Sequence, residues 1–371
     1  MLFCESLKTT ITSQNIYTVV TKYLFDKNIP NSNIVSTAAD GAPTMMGRRY
    51  GVLKLLKDDN PDMITIHCIV HRKNLAELHD ILKNVIKVIN FIKAHPKTER
   101  LFKVFCKEME EDYIRLLMHT QVRWLSKGKC LERFMELYDT SVEFGGDREV
   151  FQFLQCSESK SLISYLTDIF MKLNTLNREL QGANKTLLDC KTKICGFITK
   201  LKFMKTQITR GDLSQFTHLS QSEPSHDTLR IISTHLQALA DDFTNRFTDL
   251  KSMTFPTWIS QPFLFDVDSE DTLTMDTVLI EELLELQNDD SVQPVHKVHG
   301  QLMWMNSAVC AKYSNLATVA QKTLLPFPTT YLVECAFSKV TDILSKKRGN
   351  LQITLRRDLR AKLLSLKPHM A

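Results

Sequence analysis

The sequence predicts a helix-dominated α/β protein. Three observations carry that reading. Glycine and proline are scarce, at 11 each in 371 residues, which favours long helices joined by few tight turns. Apolar residues recur at three- and four-residue spacing through most of the chain, the signature of helices with one buried face. Alternating or β-branched apolar runs are confined to short stretches on the N-terminal side, so any sheet is small. A chain of this length, 43% hydrophobic and 24% charged, has ample material for a core in one large domain or two to three smaller ones.

The elements follow in order. Leu2-Phe3-Cys4 reads as the tail of a strand, and Asn15 to Phe25 as a helix with Ile16, Val19, Val20, Tyr23 and Leu24 apolar. Asn33 to Thr37 is a short strand ending in the turn Ala39-Asp40-Gly41-Ala42-Pro43, followed by a helix from about Thr44 to Lys57. Met63 to Cys68 alternates and is a second strand. Helical spacing then continues to about Phe144, and Gly145-Gly146-Asp147 breaks it. Leu162 to Lys205 and Leu229 to Leu250 are helical, with a stripe of Leu166, Ile169, Phe170, Leu173 and Leu176 in the first. Pro256 to Asp276 is irregular and acidic, Glu281 to Glu285 starts a short acidic helix, and Gln287 to His299 reads as polar and mobile. Pro326 and Pro328 mark the entry to a last helix from about Leu332.

Net charge is +5, from 47 basic and 42 acidic residues. That mild excess permits nucleic-acid contact without demanding it. The nine cysteines are scattered with no CxxC pair, which points to thiols in a reducing compartment, nucleus or cytoplasm. Neither a secretory leader nor an apolar run of the roughly 20 residues needed to span a bilayer is found, so no membrane association is expected. Lys346-Lys347-Arg348 reads as a solvated helix end.

A few residues could carry chemistry. Asp40 ends a strand, where ligands gather in α/β sheets; it reads equally as a turn or helix-cap residue. Cys68 and His71 have metal-ligand spacing, but a structural zinc site needs four ligands and no second pair lies nearby. Trp124, with Arg123 beside it, could stack on a nucleobase or anchor a core beneath a snorkelling arginine. Glu334 lies in an otherwise apolar helical stretch, where a carboxylate must be paired, metal-bound or solvated. Gly-rich phosphate loops, GxSxG elbows and HExxH motifs are all missing from the sequence.

The order and wording of these segments say more than each alone. Thr37-Ala-Ala-Asp-Gly-Ala-Pro-Thr-Met-Met-Gly-Arg48 comes first, then His67-Cys-Ile-Val-His-Arg-Lys-Asn-Leu-Ala76, then Thr120-Gln-Val-Arg-Trp-Leu-Ser-Lys-Gly-Lys129, then Phe327-Pro-Thr-Thr-Tyr-Leu-Val-Glu-Cys-Ala-Phe-Ser338 with Lys346-Lys-Arg-Gly-Asn-Leu351. This series, running through essentially the whole chain, resembles the hAT transposase superfamily, and most of all its domesticated vertebrate members. The resemblance implies an RNase H-like core interrupted by a large all-helical insertion. It implies a metal-binding Asp-Asp-Glu triad for DNA hydrolysis and strand transfer, in which two metals activate the attacking oxygen and stabilise the leaving one. Asp40 matches the second Asp and Glu334 the Glu. Cys68 and His71 match a motif near the active site, Trp124 the tryptophan that stacks on a flipped base, and the stretch from Ser314 to Leu364 the dimerisation region.

Departures from the family pattern shape the expectation. The first Asp and its strand belong upstream of the region that Leu2 to Leu7 resembles, so this sequence matches two of three carboxylates, Asp40 and Glu334, and lacks the usual zinc finger. The expected fold is therefore an N-terminally truncated RNase H-like core with an all-helical insertion: a partial α/β piece at 1–95, the insertion at 96–310, and a return and dimerisation segment at 311–371. The expected function is that of a catalytically inactive, domesticated transposase-like protein. It would self-associate through its C-terminal segment, contact unidentified protein partners and retain some DNA binding, without cofactor unless residual activity uses Mg²⁺. The rival reading is a metal-dependent transposase or nuclease, should an upstream Asp-bearing strand be supplied.

Overall fold

The computed structural model describes residues 10–39, 41–47, 49–68, 78–117, 124–182, 185–266 and 275–326, together with Thr272, Pro328, Thr329 and Val340. In chain order, α1 (Ser13–Asp26) leads to strand β1 (Ser36–Ala39), α2 (Pro43–Met46), α3 (Val52–Asp59) and β2 (Ile64–His67). A long helical run follows: α4 (His79–Ala94), α5 (Pro96–Glu108), α6 (Trp124–Glu136), α7 (Tyr138–Gly145), α8 (Glu149–Gln152), α9 (Ser157–Leu180), α10 (Leu187–Thr209), α11 (Thr217–Ser220) and α12 (His226–Arg246). Next come α13 (Thr248–Ser252), α14 (Thr257–Ser260), α15 (Thr277–Gln287), α16 (Gln293–His299), α17 (Ser307–Lys312) and α18 (Ser314–Leu324). The helix-dominated character read from the sequence holds. The chain divides into two compact units: the first gathers residues 1–72, 180–191 and 249–371, and the second residues 73–179 and 192–248.

In the first unit β1 and β2 pair in parallel, with Ser36 opposite Ile64 and Ala39 opposite His67. Parallel strands need a crossover, supplied here by α2 and α3. The sequence suggests one helix from Thr44 to Lys57; the chain instead breaks between Met46 and Val52. Glycine explains the break. The Gly51 amide bonds the Gly47 carbonyl at 2.8 Å, and a Cβ on Gly51 would fall 2.4 Å from the Gly47 nitrogen, so only glycine fits that turn. Val52, Leu56 and Met63 are buried beneath Ile16, Tyr17 and Val20 of α1. The Asn60 amide bridges the Asn31 and Ile34 carbonyls, both at 2.9 Å, and fastens the end of α3 to the entry of β1.

Later segments of the same unit build a core around two tryptophans. Trp258 and Trp304 meet edge to face at 5.4 Å, and the Trp304 indole donates to the Ile259 carbonyl at 2.8 Å, which satisfies the polar end that a buried tryptophan carries. Leu283, Leu286, Val292, Leu316, Ala320 and Leu324 complete that core. Two carboxylates secure it. Glu282 accepts from the amides of Asn315 and Leu316 at the start of α18, which has no capping side chain of its own. Asp289 accepts from Lys312, Tyr313 and Ser291; those donors hold its carboxyl well below the usual range. The segment 287–299, expected to be polar and mobile, is ordered instead: Val292 is buried, α16 follows it, and the His296 ring bonds the Ser260 carbonyl at 2.9 Å.

In the second unit α9 is the central helix. Every residue from Ser161 to Phe170 is buried, so the helix is enclosed on all sides rather than along one stripe. Most of its polar groups find partners inside, the Ser164 hydroxyl being an exception. Asp168 accepts from the backbone amides of His218 and Leu219 and from the His218 ring at 2.7 Å, which caps the start of α11. Tyr165 bonds His235 of α12 at 2.7 Å. Edge-to-face aromatic pairs, Phe91 with Phe151 at 5.6 Å and Phe102 with Phe144 at 5.1 Å, pack the remaining helices.

The buried His235 generates a pH dependence. Burial lowers its pKa to about 4 against about 6.5 in an unfolded chain. The fold therefore refuses a proton that the unfolded chain accepts. Stability is unaffected above pH 6.5 and falls as pH drops from about 6.5 to about 4, by roughly 3 kcal/mol at the lower end. Urea unfolding across that range should show this loss, and His235→Gln should flatten it.

Candidate functional site

Parallel pairing brings the C-terminal ends of β1 and β2 to one edge. Ala39, immediately before Asp40, lies opposite His67, immediately before Cys68. The Cys68 amide donates to the Ala39 carbonyl at 2.7 Å. The two sequence motifs thus leave the sheet side by side, and this edge is the candidate site. Asp40, His71, Arg123 and Glu334 lie outside the described residues; Trp124 opens α6, and its side chain lies outside them too. Of the residues singled out from the sequence, Cys68 alone has a described side chain.

Cys68 is fully buried. It lies within electrostatic reach of Cys190 on α10, whose thiol is pushed up to about 12 chiefly by burial, with Asp189 and Cys68 adding to the rise. None of the seven described cysteines forms a disulfide. Asp189 beside Cys190 is itself engaged, accepting from the Thr186 amide and hydroxyl and from the Gln301 amide at 2.9 Å. Cys68 thus lies near a hydrogen-bonded cluster drawn from two other stretches of the first unit, 180–191 and 249–371. Among the described residues, no group of three or more His, Cys, Asp or Glu side chains is arranged to hold a metal. No described helix is long and apolar enough to cross a membrane.

One residue of the tryptophan-bearing motif has a role that sequence reasoning missed. Gly128 of α6 sits against α9, and a Cβ there would fall 2.0 Å from the Asn174 amide nitrogen and 3.4 Å from the Phe170 carbonyl. Asn174 is buried, so it has little room to yield. The glycine lets α6 approach the central helix and thereby sets where that helix, which starts at Trp124, is held. A helical glycine costs about 1 kcal/mol relative to alanine, a cost offset here by the close approach of α6 to α9.

Residues 67–209 match the FAM200/GTF2IRD2 helical domain. The match starts at the last residue of β2 and ends with α10. The chain is also 27% identical, over 345 residues, to general transcription factor II-I repeat domain-containing protein 2 of Bos taurus, in an alignment that takes in 89% of this chain and 35% of that protein. It therefore spans about a third of that relative's length. The chain carries a FAM200/GTF2IRD2-like helical domain, and the similarity extends well beyond that domain to most of its sequence.

The Gly128 contact makes a direct prediction. Gly128→Ala should lower stability by about 1–3 kcal/mol through overpacking, despite alanine's better helix propensity, and Gly128→Leu should do so more severely. Thermal denaturation of the two variants against the parent chain checks this; a stabilised Gly128→Ala protein would refute the packing role.

Proposed function

We propose that the chain is a domesticated, transposon-derived protein of the hAT type that performs no catalysis of its own and serves as an interaction module, self-associating and retaining DNA binding, in the nucleus. The observation that carries this reading is the similarity to a transcription-factor-named relative over 345 residues, in a chain whose motifs follow the hAT order from Thr37 to Leu351. The nuclear assignment leans on that relative's name; the scattered cysteines fit nucleus and cytoplasm alike.

The case against catalysis is chemical. Two-metal hydrolysis needs carboxylates that clamp both the attacking and the leaving oxygen. Within these 371 residues the resemblance supplies Asp40 and Glu334 but matches nothing to the first Asp of the triad. Two carboxylates leave such a site short of ligands for the octahedral geometry that Mg²⁺ demands. The residues that would hold a metal if a third carboxylate joined them are Asp40 and Glu334, and the resemblance implies that Cys68 and His71 belong to a motif near that site. A metal-dependent nuclease is kept as the second reading because Ala39 and Cys68, which meet at the ends of the paired strands, belong to the two segments whose wording resembles the catalytic motifs.

The interaction reading is tested at two points. Incubated with Mg²⁺ and supercoiled DNA, the protein should produce no nicks above background; nicking that vanishes in both Asp40→Ala and Glu334→Ala would establish the nuclease instead. For self-association the choice of truncation matters. Leu316, Ala317, Ala320 and Leu324 of α18 belong to the tryptophan core, so removing everything after Ser314 would unfold the first unit. Truncation after Thr329 spares α18. The full chain should sediment as a dimer and the truncated chain as a monomer; a monomeric full chain, or a truncated chain that still dimerises, overturns assignment of the interface to the C-terminal segment.

A further inference from the structure

The second unit carries a groove of about 630 Å³ between α9 and α10 that nothing in the proposed function uses. Its walls are one face of each helix: Met171, Lys172 and Thr175 on α9, and Gly196, Lys200 and Phe203 on α10. The face of α10 from Lys193 to Phe203 extends about 15 Å at helical rise, the length of a three-turn helix. Phe203 is 52% and Met171 37% exposed, although both are large and apolar. Gly196 also lines the groove and is exposed, with no atom within 4 Å of where a Cβ would stand. Unlike Gly128, it permits no contact within the chain, yet it carries the full cost of a mid-helix glycine.

The charges in the groove are unbalanced. Glu179 is paired with Lys193 at 3.1 Å. Asp168 is occupied by the His218 ring and the amides of His218 and Leu219. Lys172 and Lys200 are in no ion pair among the described residues. Burial holds the Lys172 pKa below the ordinary lysine value, Asp168 offsets part of that, and the nearby Lys200 charge lowers it further. A carboxylate placed between the two lysines would relieve that repulsion.

We infer that this groove is a docking site for an acidic amphipathic helix of a partner protein. The partner's apolar residues would cover Met171 and Phe203, its backbone would approach over Gly196, and one or more of its carboxylates would meet Lys172 and Lys200. This is the helix-in-groove mode of recognition, in which anchors at three- and four-residue spacing fill an apolar trough. A single-stranded nucleic acid fits less well. It would need a run of unopposed cations along the backbone track, whereas here Asp168 and Glu179 line the groove with the lysines and Met171 and Phe203 supply apolar wall between them. The inference does not depend on the chain's self-association or on any property of the strand edge.

The test uses the full chain and a labelled peptide of residues 276–288, which joins several leucines to Glu281, Glu282 and Glu285. In the folded protein Leu283 and Leu286 are buried, so the parent helix does not offer that face in competition. Fluorescence anisotropy should show saturable binding that weakens at least tenfold in Lys172→Glu/Lys200→Glu and in Gly196→Leu. Gly196→Ala should keep binding within a few-fold and raise the melting temperature, because it removes a helical glycine without filling the groove. Absence of peptide binding, binding indifferent to these substitutions, or displacement of the peptide by single-stranded oligothymidine would each overturn the proposal.

Discussion

A helix surrounded by protein on every side cannot leave polar groups to solvent, and α9 is in that position from Ser161 to Phe170. Asp168 inside that stretch would be ruinous as an unpaired charge. It is tolerated because the start of α11 and the His218 ring point at it. The short helix α11 in turn has no other side-chain cap. Each element is thus the condition for the other: the carboxylate needs the amides, and the amides need the carboxylate. Tyr165 and His235 meet the same requirement one helical turn away, with neutral partners.

The same economy recurs in the first unit. Glu282 caps α18 from across the tryptophan core, and Asp289 gathers Lys312, Tyr313 and Ser291. Asp189 accepts from Thr186 and Gln301. In a chain resembling enzymes that run on carboxylates, the acidic residues with the most donors around them in the described structure hold helices in place. Acidity in the sequence is therefore a poor guide to chemistry here, because the same ligand-rich geometry that would bind a metal also binds helix N-termini.

The sequence conveyed the helix-dominated class through its apolar spacing, and the second strand through alternation at Ile64-Thr65-Ile66; the first strand, read at Asn33 to Thr37 from Ile34-Val35, lies instead at Ser36–Ala39 and reaches into the expected turn. It concealed the break between α2 and α3, because Gly47 and Gly51 were outweighed by the apolar rhythm around them; their necessity lies in backbone contacts that no periodicity encodes. It also misrepresented 287–299, where a few apolar residues such as Val292 suffice to order a polar stretch. At the candidate site the pairing of Ala39 with His67 was implicit in two strand ends, but register and direction come only from the pairing itself. The α9–α10 groove had no motif to announce it. A glycine in mid-helix was its one outward sign, and it took the spatial neighbourhood to separate Gly196, which faces open space, from Gly128, which touches Asn174.

The first unit is assembled from three stretches of sequence, and this has a consequence for how the protein comes into being. Its strand pair is finished once Cys68 has been made, yet the segments that complete the unit begin again only at residue 180 and then at 249. At translation rates of roughly 5–20 residues per second, about ten to forty seconds separate the synthesis of the strand pair from that of residue 249. The second unit, whose last residue is 248, has all its sequence available before the tryptophan core exists. The newborn chain therefore carries the β1–β2 pair while the later stretches of its unit are still being translated. Apolar surface uncovered in that interval favours association, so synthesis speed bears on yield alongside the stability of the finished fold.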